Sequence, residues 1–435
     1  MDNGTVKIFS THDLPRLRYI AGILLGDMLG LSWEIVTDKR KLGKNPVINY
    51  SSEEIKGSFR IVPVPVLFET GTIKHEIEVT QWKGLPVFFG SGQGSDLPFD
   101  IFAASFFLVS RYEEYLEYKP DMYGRFPASS SLAYRNGFLS IPVIDLWAHE
   151  WAKTIVVKFQ NLVFRKNKFS SVVTIDVDQP FEYLGKDVFR SLGGIIREIG
   201  KKGGRAGDRY RTVTHGEKDP WDVFDYISDV IRETGSMAKF FIPTGDRSQF
   251  DKNPSWNNED FKNLVKRIIS GFGFGLHPSF HASQNADRLK TEYLRLKKIT
   301  SLETFSARYH FVRLKIPQSY RNLEGAGFTE DYSMGYPDEP GFRAGIARPF
   351  RFYDIEEEKE TSLTVYPFQL MDGTLFQYKK LGPSESEGII SSLIEVTKKV
   401  GGTFISIWHN TTLIDTAEQK EWRKLFESTL KMQAQ

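Results

Sequence analysis

The sequence predicts an α/β protein whose larger part is built from alternating helices and parallel strands. Beyond Ser170, short apolar runs alternate with segments of helical periodicity, which is typical of βα units in an open sheet or a barrel. The 435 residues exceed what one ordinary core accommodates, so we expect two domains. Reactive side chains collect where the predicted strands end, as they do in barrels of this type.

The first predicted domain, residues 1–150, is mixed α and β. We expect an apolar helix at Arg18–Gly30, extended runs at Phe59–Phe68 and Pro86–Gly90, and an amphipathic helix over about Asp100–Tyr118. No residue pattern in this domain has catalytic spacing, so its role stays open.

The second predicted domain, residues 151–435, contains the alternating elements. Its predicted strands are 172–175, 238–243, 271–276, 305–309, 362–367 and 403–408. Its predicted helices are 221–234, 258–270, 286–298, 385–400 and 416–432.

Composition excludes several classes of protein and site. The net charge is only +2, so no global field attracts nucleic acid, and we expect no nucleic-acid partner. The chain has no cysteine, which excludes disulfides, thiolate ligands and a cysteine nucleophile. Any metal ion must therefore be held by His, Asp, Glu or water.

The start of the chain is polar and lacks the pattern of a signal peptide. The apolar stretch Tyr19–Trp33 is short and is interrupted by Asp27, which indicates a buried helix rather than a membrane span. We therefore expect a cytoplasmic protein without a membrane-spanning segment.

The segment VTIDVDQP, residues 173–180, is an apolar run that ends in two carboxylates. Alternate residues of a strand point to the same side, so Asp176 and Asp178 can converge on one site. Close carboxylates repel each other unless a cation or a shared proton lies between them. The alternative is ordinary turn chemistry at the end of a strand.

The segment GLHPSFH, residues 275–281, offers two imidazoles. Pro278 suits the first position of a helix, which would place His277 and His281 on one face and let both nitrogens bind one metal ion. With Asp178 they form a candidate Asp-His-His ligand set that leaves positions open for water. A chance surface pair is the alternative.

Two further strand ends carry candidate residues. The run TFISIWHN, residues 403–410, delivers His409 at its end, where a hydrogen-bonded core histidine is the alternative. The run ARYHFVR, residues 307–313, places Arg308 beside the end of another strand. That arginine could pair with a carboxylate or lie at a solvated strand end.

The order of these four elements resembles that of the NodB-like polysaccharide deacetylases, which are the carbohydrate esterases of family four. The family's Thr-Phe-Asp-Asp-Gly-Pro motif is similar to residues 174–180, and its His-(Ser/Thr)-x-x-His motif to residues 277–281. Its Arg-x-Pro-Tyr motif is similar to residues 308–311, and its Leu-x-His motif to residues 407–409. The resemblance covers roughly residues 170–430, and the whole chain is similar to bacterial proteins with an extra N-terminal domain.

The resemblance implies a distorted (β/α)7 barrel that removes acetyl groups from N-acetylated sugars of a glycan or glycan precursor. It further implies that Asp178, His277 and His281 hold one divalent metal ion. The resemblance favours zinc, and cobalt, nickel and iron are also compatible with such ligands. Asp176 would then be the general base, with Arg308 holding it ionised and His409 protonating the leaving amine.

The sequence departs from the family at several positions. A residue separates the two aspartates, Pro278 replaces a hydroxyl residue, and His310 replaces a proline, so that Arg313 competes with Arg308 for the arginine position. The family's fourth motif has no clear equivalent here, and its candidates are Asp331 and Asp372.

Two other functions compete with the deacetylase. The first is a carbohydrate-binding protein that has kept the barrel and lost catalysis. The second is an amidohydrolase acting on a small cyclic amide, but that class usually carries His-x-His after its first strand, where this chain has Asp-x-Asp.

Two segments outside the motifs also have alternative interpretations. The basic, glycine-rich stretch Arg197–Arg211 could be a solvated loop or a clamp for a phosphate. In the long stretch Asp331–Gly345, the aromatic residues Tyr332, Tyr336 and Phe342 could stack on sugars or pack the loop.

Overall fold

The computed structural model describes residues 5–185 and 206–434. Within these ranges the strands form a four-stranded sheet, a nine-stranded sheet and a two-stranded hairpin. The chain therefore has the mixed α/β composition that the sequence predicts. None of the helices in these ranges is both long and apolar enough to cross a membrane.

The strands of the described ranges are numbered in chain order. They are β1 Val6–Phe9, β2 Trp33–Val36, β3 Val47–Asn49, β4 Phe59–Arg60, β5 Thr80–Trp82, β6 Leu85–Val87, β7 Ser170–Asp176, β8 Met237–Ile242, β9 Gly273–Leu276, β10 Ser306–Ala307, β11 Glu330–Asp331, β12 Phe350–Asp354, β13 Lys359–Val365, β14 Leu370–Met371 and β15 Thr403–His409.

The α-helices of the same ranges are numbered in the same way. They are α1 Pro15–Ala21, α2 Ile101–Val109, α3 Leu132–Arg135, α4 Val143–Lys158, α5 Ala206–His215, α6 Phe224–Thr234, α7 Glu259–Ile269, α8 Ala286–Thr300, α9 Gln318–Gly325, α10 Pro383–Lys399 and α11 Lys420–Ala434.

The N-terminal part of the chain is built on the four-stranded parallel sheet, in the order β2-β1-β3-β4. The predicted helix at Arg18–Gly30 is confirmed, since α1 continues directly into a π-helical segment at Gly22–Met28. The predicted extended run Phe59–Phe68 is a strand only at its first two residues. Pro63 and Pro65 lack the N–H groups that a longer ladder needs.

The predicted amphipathic helix over Asp100–Tyr118 is wrong in length and in character. Helix α2 ends at Val109, and every residue from Ile101 to Val109 is buried. Arg111 then adopts the left-handed conformation, with φ 57°, and this conformation ends the helical path. The segment is therefore a core helix followed by a sharp turn.

The nine-stranded sheet contains the predicted βα units. Its order is β12-β13-β11-β10-β9-β8-β7-β15-β14, and all its neighbouring strands are parallel except the pair β12 and β13. The predicted parallel strands beyond Ser170 are thus confirmed. Because parallel strands end at one edge of a sheet, residues that follow β7, β8, β9, β10 and β15 lie close together.

The predicted closure into a seven-stranded barrel stays a prediction, because β12 and β14 are the end strands of the described sheet. Two backbone hydrogen bonds bring the halves of the sheet together. Phe368 N donates to Met334 O at 2.9 Å, and Gln369 N donates to Ile405 O at 3.0 Å. The chain between β13 and β14 therefore contacts both the β11 side and β15.

Buried ion pairs join the N-terminal part to the nine-stranded sheet. The Arg343 guanidinium donates two hydrogen bonds to Glu114, at 2.9 and 2.7 Å, and Arg111 Nε donates to the same carboxylate at 2.7 Å. All three side chains are at most 2% exposed. The division at residue 150 stays a prediction, and the two parts share one hydrophobic core.

The basic stretch Arg197–Arg211 falls largely outside the described residues. Its last part begins helix α5, at residues 206–211. The phosphate clamp proposed for this stretch stays a prediction.

Candidate metal centre and catalytic site

Strand register brings the candidate residues to one edge of the nine-stranded sheet. His409 at the end of β15 pairs with Asp176 at the end of β7. On the other side, Leu276 of β9 pairs with Ala307 of β10, so His277 and Arg308 directly follow paired positions. The four side chains therefore come from two pairs of adjacent strands, β7 with β15 and β9 with β10, with β8 between the pairs.

A carboxylate and two imidazoles meet at the centre of this edge. His277 Nε2 lies 2.9 Å from Asp178 Oδ1, and His310 Nε2 lies 3.4 Å from Asp178 Oδ2. One ligand atom from each residue lies within 4.8 Å of the other two. Ligands of a tetrahedral ion, at about 2.1 Å from it, are about 3.4 Å apart, so these three side chains are spaced to share one cation.

Two buried acceptor atoms of the cluster face each other. His277 Nδ1 donates to the carbonyl oxygen of Arg308 at 2.6 Å, so in the neutral ring Nε2 carries a lone pair. This Nε2 and Asp178 Oδ1 are both buried without a hydrogen-bond partner in the described chain. Two acceptors facing each other at 2.9 Å are costly unless a cation or a proton separates them. The donor set therefore fits a divalent cation.

The orientation of His310 is set by a second carboxylate. His310 Nδ1 donates to Asp251 Oδ1 at 2.9 Å, which turns Nε2 towards Asp178. Burial alone would lower the pKa of His310, but the charges of Asp178 and Asp251 outweigh it and raise the pKa to about 10. Histidines that bind metal ions frequently donate their other ring N–H to a carboxylate in this way.

Electrostatics also favour an ionised Asp178. Burial alone would raise the pKa of its carboxyl group, but the imidazoles of His310 and His277 outweigh burial and hold the pKa well below its usual range. Asp178 is thus ionised at neutral pH.

His281 does not join this cluster. The expected helix at Pro278 does not form: residues 278 and 279 have no regular secondary structure, residues 280 and 281 form a turn, and a short 3₁₀ segment begins only at Ala282. His281 is exposed, and its ring contacts those of Phe250 and Phe280. Without helical geometry the four-residue spacing no longer stacks the imidazoles, and His310 stands where the sequence led us to expect His281.

Asp176 and Arg308 form a buried ion pair. Arg308 Nη1 donates to Asp176 Oδ1 at 2.9 Å and to Thr174 Oγ1 at 2.7 Å, while Nε donates to Tyr332 O at 2.9 Å. The other carboxylate oxygen, Oδ2, lies 3.9 Å from His277 Nε2. Arg308 therefore fixes one oxygen of Asp176 and leaves the other facing the cluster of Asp178, His277 and His310.

Asp372 orients His409. His409 Nδ1 donates to Asp372 Oδ1 at 2.6 Å, and His409 N donates to Oδ2 of the same carboxylate at 2.9 Å. His409 Nε2 lies 3.6 Å from Asp178 Oδ2 and 4.0 Å from Asp176 Oδ2. Burial alone would lower the pKa of His409, but the charges of Asp372, Asp178 and Asp176 raise it to about 10.

Hydrogen bonds distinguish the two candidate arginines and the two candidate aspartates that the sequence left open. Arg313 donates to Tyr123 O and Phe280 O, whereas Arg308 reaches Asp176. Asp331 accepts from Tyr320 OH and Ser333 N. Of the two candidates for the fourth motif, Asp372 is therefore the one beside His409.

Aromatic side chains of the long loop Asp331–Gly345 pack inside the protein. Tyr332, Tyr336 and Phe342 are at most 4% exposed, and Tyr332 stacks on Tyr366 with ring centroids 4.6 Å apart. They are core residues rather than a platform for sugars. The aromatic side chains that line the cavity over the metal cluster are Phe250, Phe311 and Tyr378.

Comparisons with known proteins found one sequence family and several solved structures. Residues 6–160 match a sequence family described as a family of unknown function, DUF7033. No curated protein matches the chain. A solved structure described as a polysaccharide deacetylase from Mycobacterium smegmatis is 13% identical, with coverage of 61% of this chain and 85% of that one and a TM-score of 0.40.

Two further solved structures are similar to the same share of the chain. A polysaccharide deacetylase from Bacillus cereus is 11% identical, with coverage of 61% of this chain and 88% of that one and a TM-score of 0.29. A CE4 family pseudoenzyme from Bacillus anthracis is 9% identical, with coverage of 61% and 62% and a TM-score of 0.29.

Sequence reasoning missed His310, Asp251 and Arg125 as parts of the site. His310 did carry a signal, since it follows a predicted strand just as His277 and His409 do. Asp251 and Arg125 lie in loops without a recognisable motif, so only the folded chain places them at the site.

Proposed function

We propose that this protein is a metal-dependent hydrolase that removes acetyl groups from N-acetylated sugars. The observation that carries the proposal is the pair of facing, unpartnered acceptors, Asp178 Oδ1 and His277 Nε2, at 2.9 Å. Two hydrogen-bonded side chains lie beside this pair: Asp176, which accepts from Arg308, and His409, which donates to Asp372. Hydrolysis of an amide needs this combination of an electrophilic centre, a base and an acid.

The cation would be held by Asp178, His277 and His310. When bound, it polarises the amide carbonyl and lowers the pKa of a water molecule. A set of two imidazoles and one carboxylate suits zinc, and cobalt, nickel or iron also accept these ligands.

Asp176 would take the proton from the attacking water. Arg308 holds Oδ1 at 2.9 Å, so the carboxylate stays turned with Oδ2 towards the cluster, where the water must lie. Because a base acts only within hydrogen-bond reach of the proton that it removes, this fixed orientation supports Asp176 as the general base.

His409 would protonate the leaving amine. Asp372 accepts hydrogen bonds from its Nδ1 and its backbone N–H, which leaves Nε2 free towards the cavity that His409 lines. An amine is a poor leaving group without a proton, and a histidine with a fixed tautomer can supply one. We propose that the reaction takes place in the cytoplasm, on a soluble glycan or glycan precursor.

One experiment tests the assignment of base and ligands together. We expect purified protein to contain a divalent metal and to release acetate from N-acetylated sugars, with loss of both when the metal is chelated. Asp176→Asn should abolish acetate release and leave metal content near that of the wild type. Activity in that variant would contradict the role of Asp176.

The same measurements separate the enzyme from an inactive carbohydrate-binding protein. Binding of N-acetylated sugars without acetate release by the metal-loaded wild type would favour the binding protein. The two held side chains, Asp176 and His409, favour the enzyme, because a binding protein has no need of a general base and a general acid.

A further inference from the structure

The cavity that Asp178, His277 and His310 help to line is small and is bordered by loops. Its volume is about 220 Å³, below the range of about 300–1,000 Å³ that is typical of sites for drug-sized ligands. Segments that follow β7, β8, β9, β10, β11, β14 and β15 all contribute to its lining. Loops from seven strands of the sheet therefore border the site.

One wall of this pocket comes from the N-terminal part of the chain. Arg125 lines the cavity and is only 3% exposed. Its Nη1 donates to Phe311 O at 2.7 Å, its Nη2 to Tyr378 OH at 3.2 Å, and its Nε to Asp121 Oδ2 at 2.7 Å. Two of these three partners, Phe311 and Tyr378, also line the cavity, so Arg125 joins the wall to loops on either side.

Tyr123 strengthens the same wall. Its carbonyl oxygen accepts from Arg313 Nε at 2.9 Å, and its ring lies 5.0 Å from that of Phe311 and 6.3 Å from that of Phe250. Phe250 and Phe311 expose aromatic surface to the cavity, and such surface packs well against the apolar face of a sugar ring. Residues 121–125 are thus fixed beside the cavity by contacts with the loops that line it.

We infer that the substrate presents its N-acetyl group on a free sugar or on the terminal sugar of a chain, and not on an internal residue. This inference rests on the proposed deacetylase function. An internal sugar continues in two directions and needs an open path on both sides of the reacting residue, and the wall of residues 121–125 closes one side. A terminal sugar continues in one direction only.

The inference is tested with wild-type, metal-loaded protein and oligosaccharides of N-acetylglucosamine of one to six units. Mass spectrometry of the products locates the acetyl groups that are removed. We expect loss of one acetyl group per chain, always from a terminal unit, at every length. Removal from internal units, or of several groups per chain, would overturn the inference while leaving the deacetylase function intact. Absence of acetate release from every oligosaccharide would count against both.

A pair of variants tests the wall itself. Arg125→Ala removes the side chain that joins the wall to its neighbours, and it should permit removal of acetyl groups from internal units. Arg40→Ala, a change in the same part of the chain at a side chain 90% exposed, should leave the product pattern of the wild type unchanged. An Arg125→Ala protein that folds and still acts only on terminal units would show that residues 121–125 do not set the specificity.

Binding gives a readout without turnover. In Asp176→Asn, calorimetry should give the same affinity, within about twofold, for oligosaccharides of two and six units, because only one end is held. An affinity that rises more than tenfold with length, together with removal of acetyl groups from internal units, would indicate sugar sites on both sides of the reacting unit and contradict the inference.

Discussion

Asp251 is expected to control metal affinity although it does not touch the cation. Its Oδ1 accepts from His310 Nδ1 at 2.9 Å and from Phe280 N at 3.0 Å, and its Oδ2 accepts from Ser248 Oγ at 2.7 Å. In Asp251→Asn the amide oxygen can keep the first two contacts and the amide nitrogen can donate to Ser248. The change therefore removes the negative charge behind His310 and preserves the local fold.

The size of the effect follows from the role of such partners. Loss of a carboxylate behind a metal-binding histidine typically weakens metal affinity by about 10–100-fold, which equals about 1.4–2.8 kcal/mol of binding free energy. We expect the metal affinity of Asp251→Asn to fall by an amount within this range. His310 keeps its position, but it loses the neighbouring negative charge that makes its imidazole a stronger metal ligand.

Zinc binding to the metal-free protein, measured by competition with a chelator of known affinity, tests this expectation. Asp246→Asn changes a carboxylate in the same loop that is 68% exposed and pairs with Arg295, so it is the matched control and should bind zinc like the wild type. An affinity of Asp251→Asn within twofold of the wild type would refute the reasoning, since His310 would then not depend on Asp251.

Three further changes have defined outcomes. Asp372→Asn should lower kcat for acetate release by about 100-fold, the scale of general acid catalysis, without changing zinc content, because it acts on His409. Arg308→Met should lower the free energy of unfolding in urea by about 3 kcal/mol, as it leaves Asp176 buried without its partner. Burial raises the pKa of Asp100 to about 6, so the folded state binds its proton more tightly than the unfolded one. The stabilisation of the folded state by protonation of Asp100 is full below about pH 4 and is lost as the pH rises through about 6. The urea concentration at the midpoint of unfolding should therefore fall more across that range in the wild type than in Asp100→Asn.

Much of the larger sheet could be predicted from the sequence because its strands are short apolar runs between helices of clear periodicity. The strand ending at Asp176 and the strand ending at His409 were located to within two residues. Once parallel strands are expected, their ends must meet at one edge. For this reason the sequence predicts that Asp176, His277, Arg308 and His409 lie close together.

The third ligand position could not be predicted because it depends on how the chain turns after β9. A helix beginning at Pro278 would have stacked His281 on His277, and the sequence permits that helix. In the folded protein Ser279 instead donates two hydrogen bonds to the buried Glu292, and this contact holds the segment in a turn. Helical spacing therefore gave a wrong placement for His281, whereas the strand-end position of His310 was the better indicator.

The same limit applies to the N-terminal part. Phe88, Phe106 and Trp147 are buried in one core with residues of the larger sheet, and their apolar character was clear from the sequence. The position of Arg125 at the catalytic cavity depends on tertiary contacts with Phe311 and Tyr378, which no local pattern encodes.

Zinc stoichiometry of His310→Ala and His281→Ala, determined side by side after identical loading and desalting, tests the metal centre most directly. The geometry predicts that His310→Ala loses most of its zinc, because Asp178 and His277 alone provide two protein ligands, and that His281→Ala retains one ion per chain. Retention of zinc by His310→Ala together with its loss from His281→Ala would contradict the proposed centre.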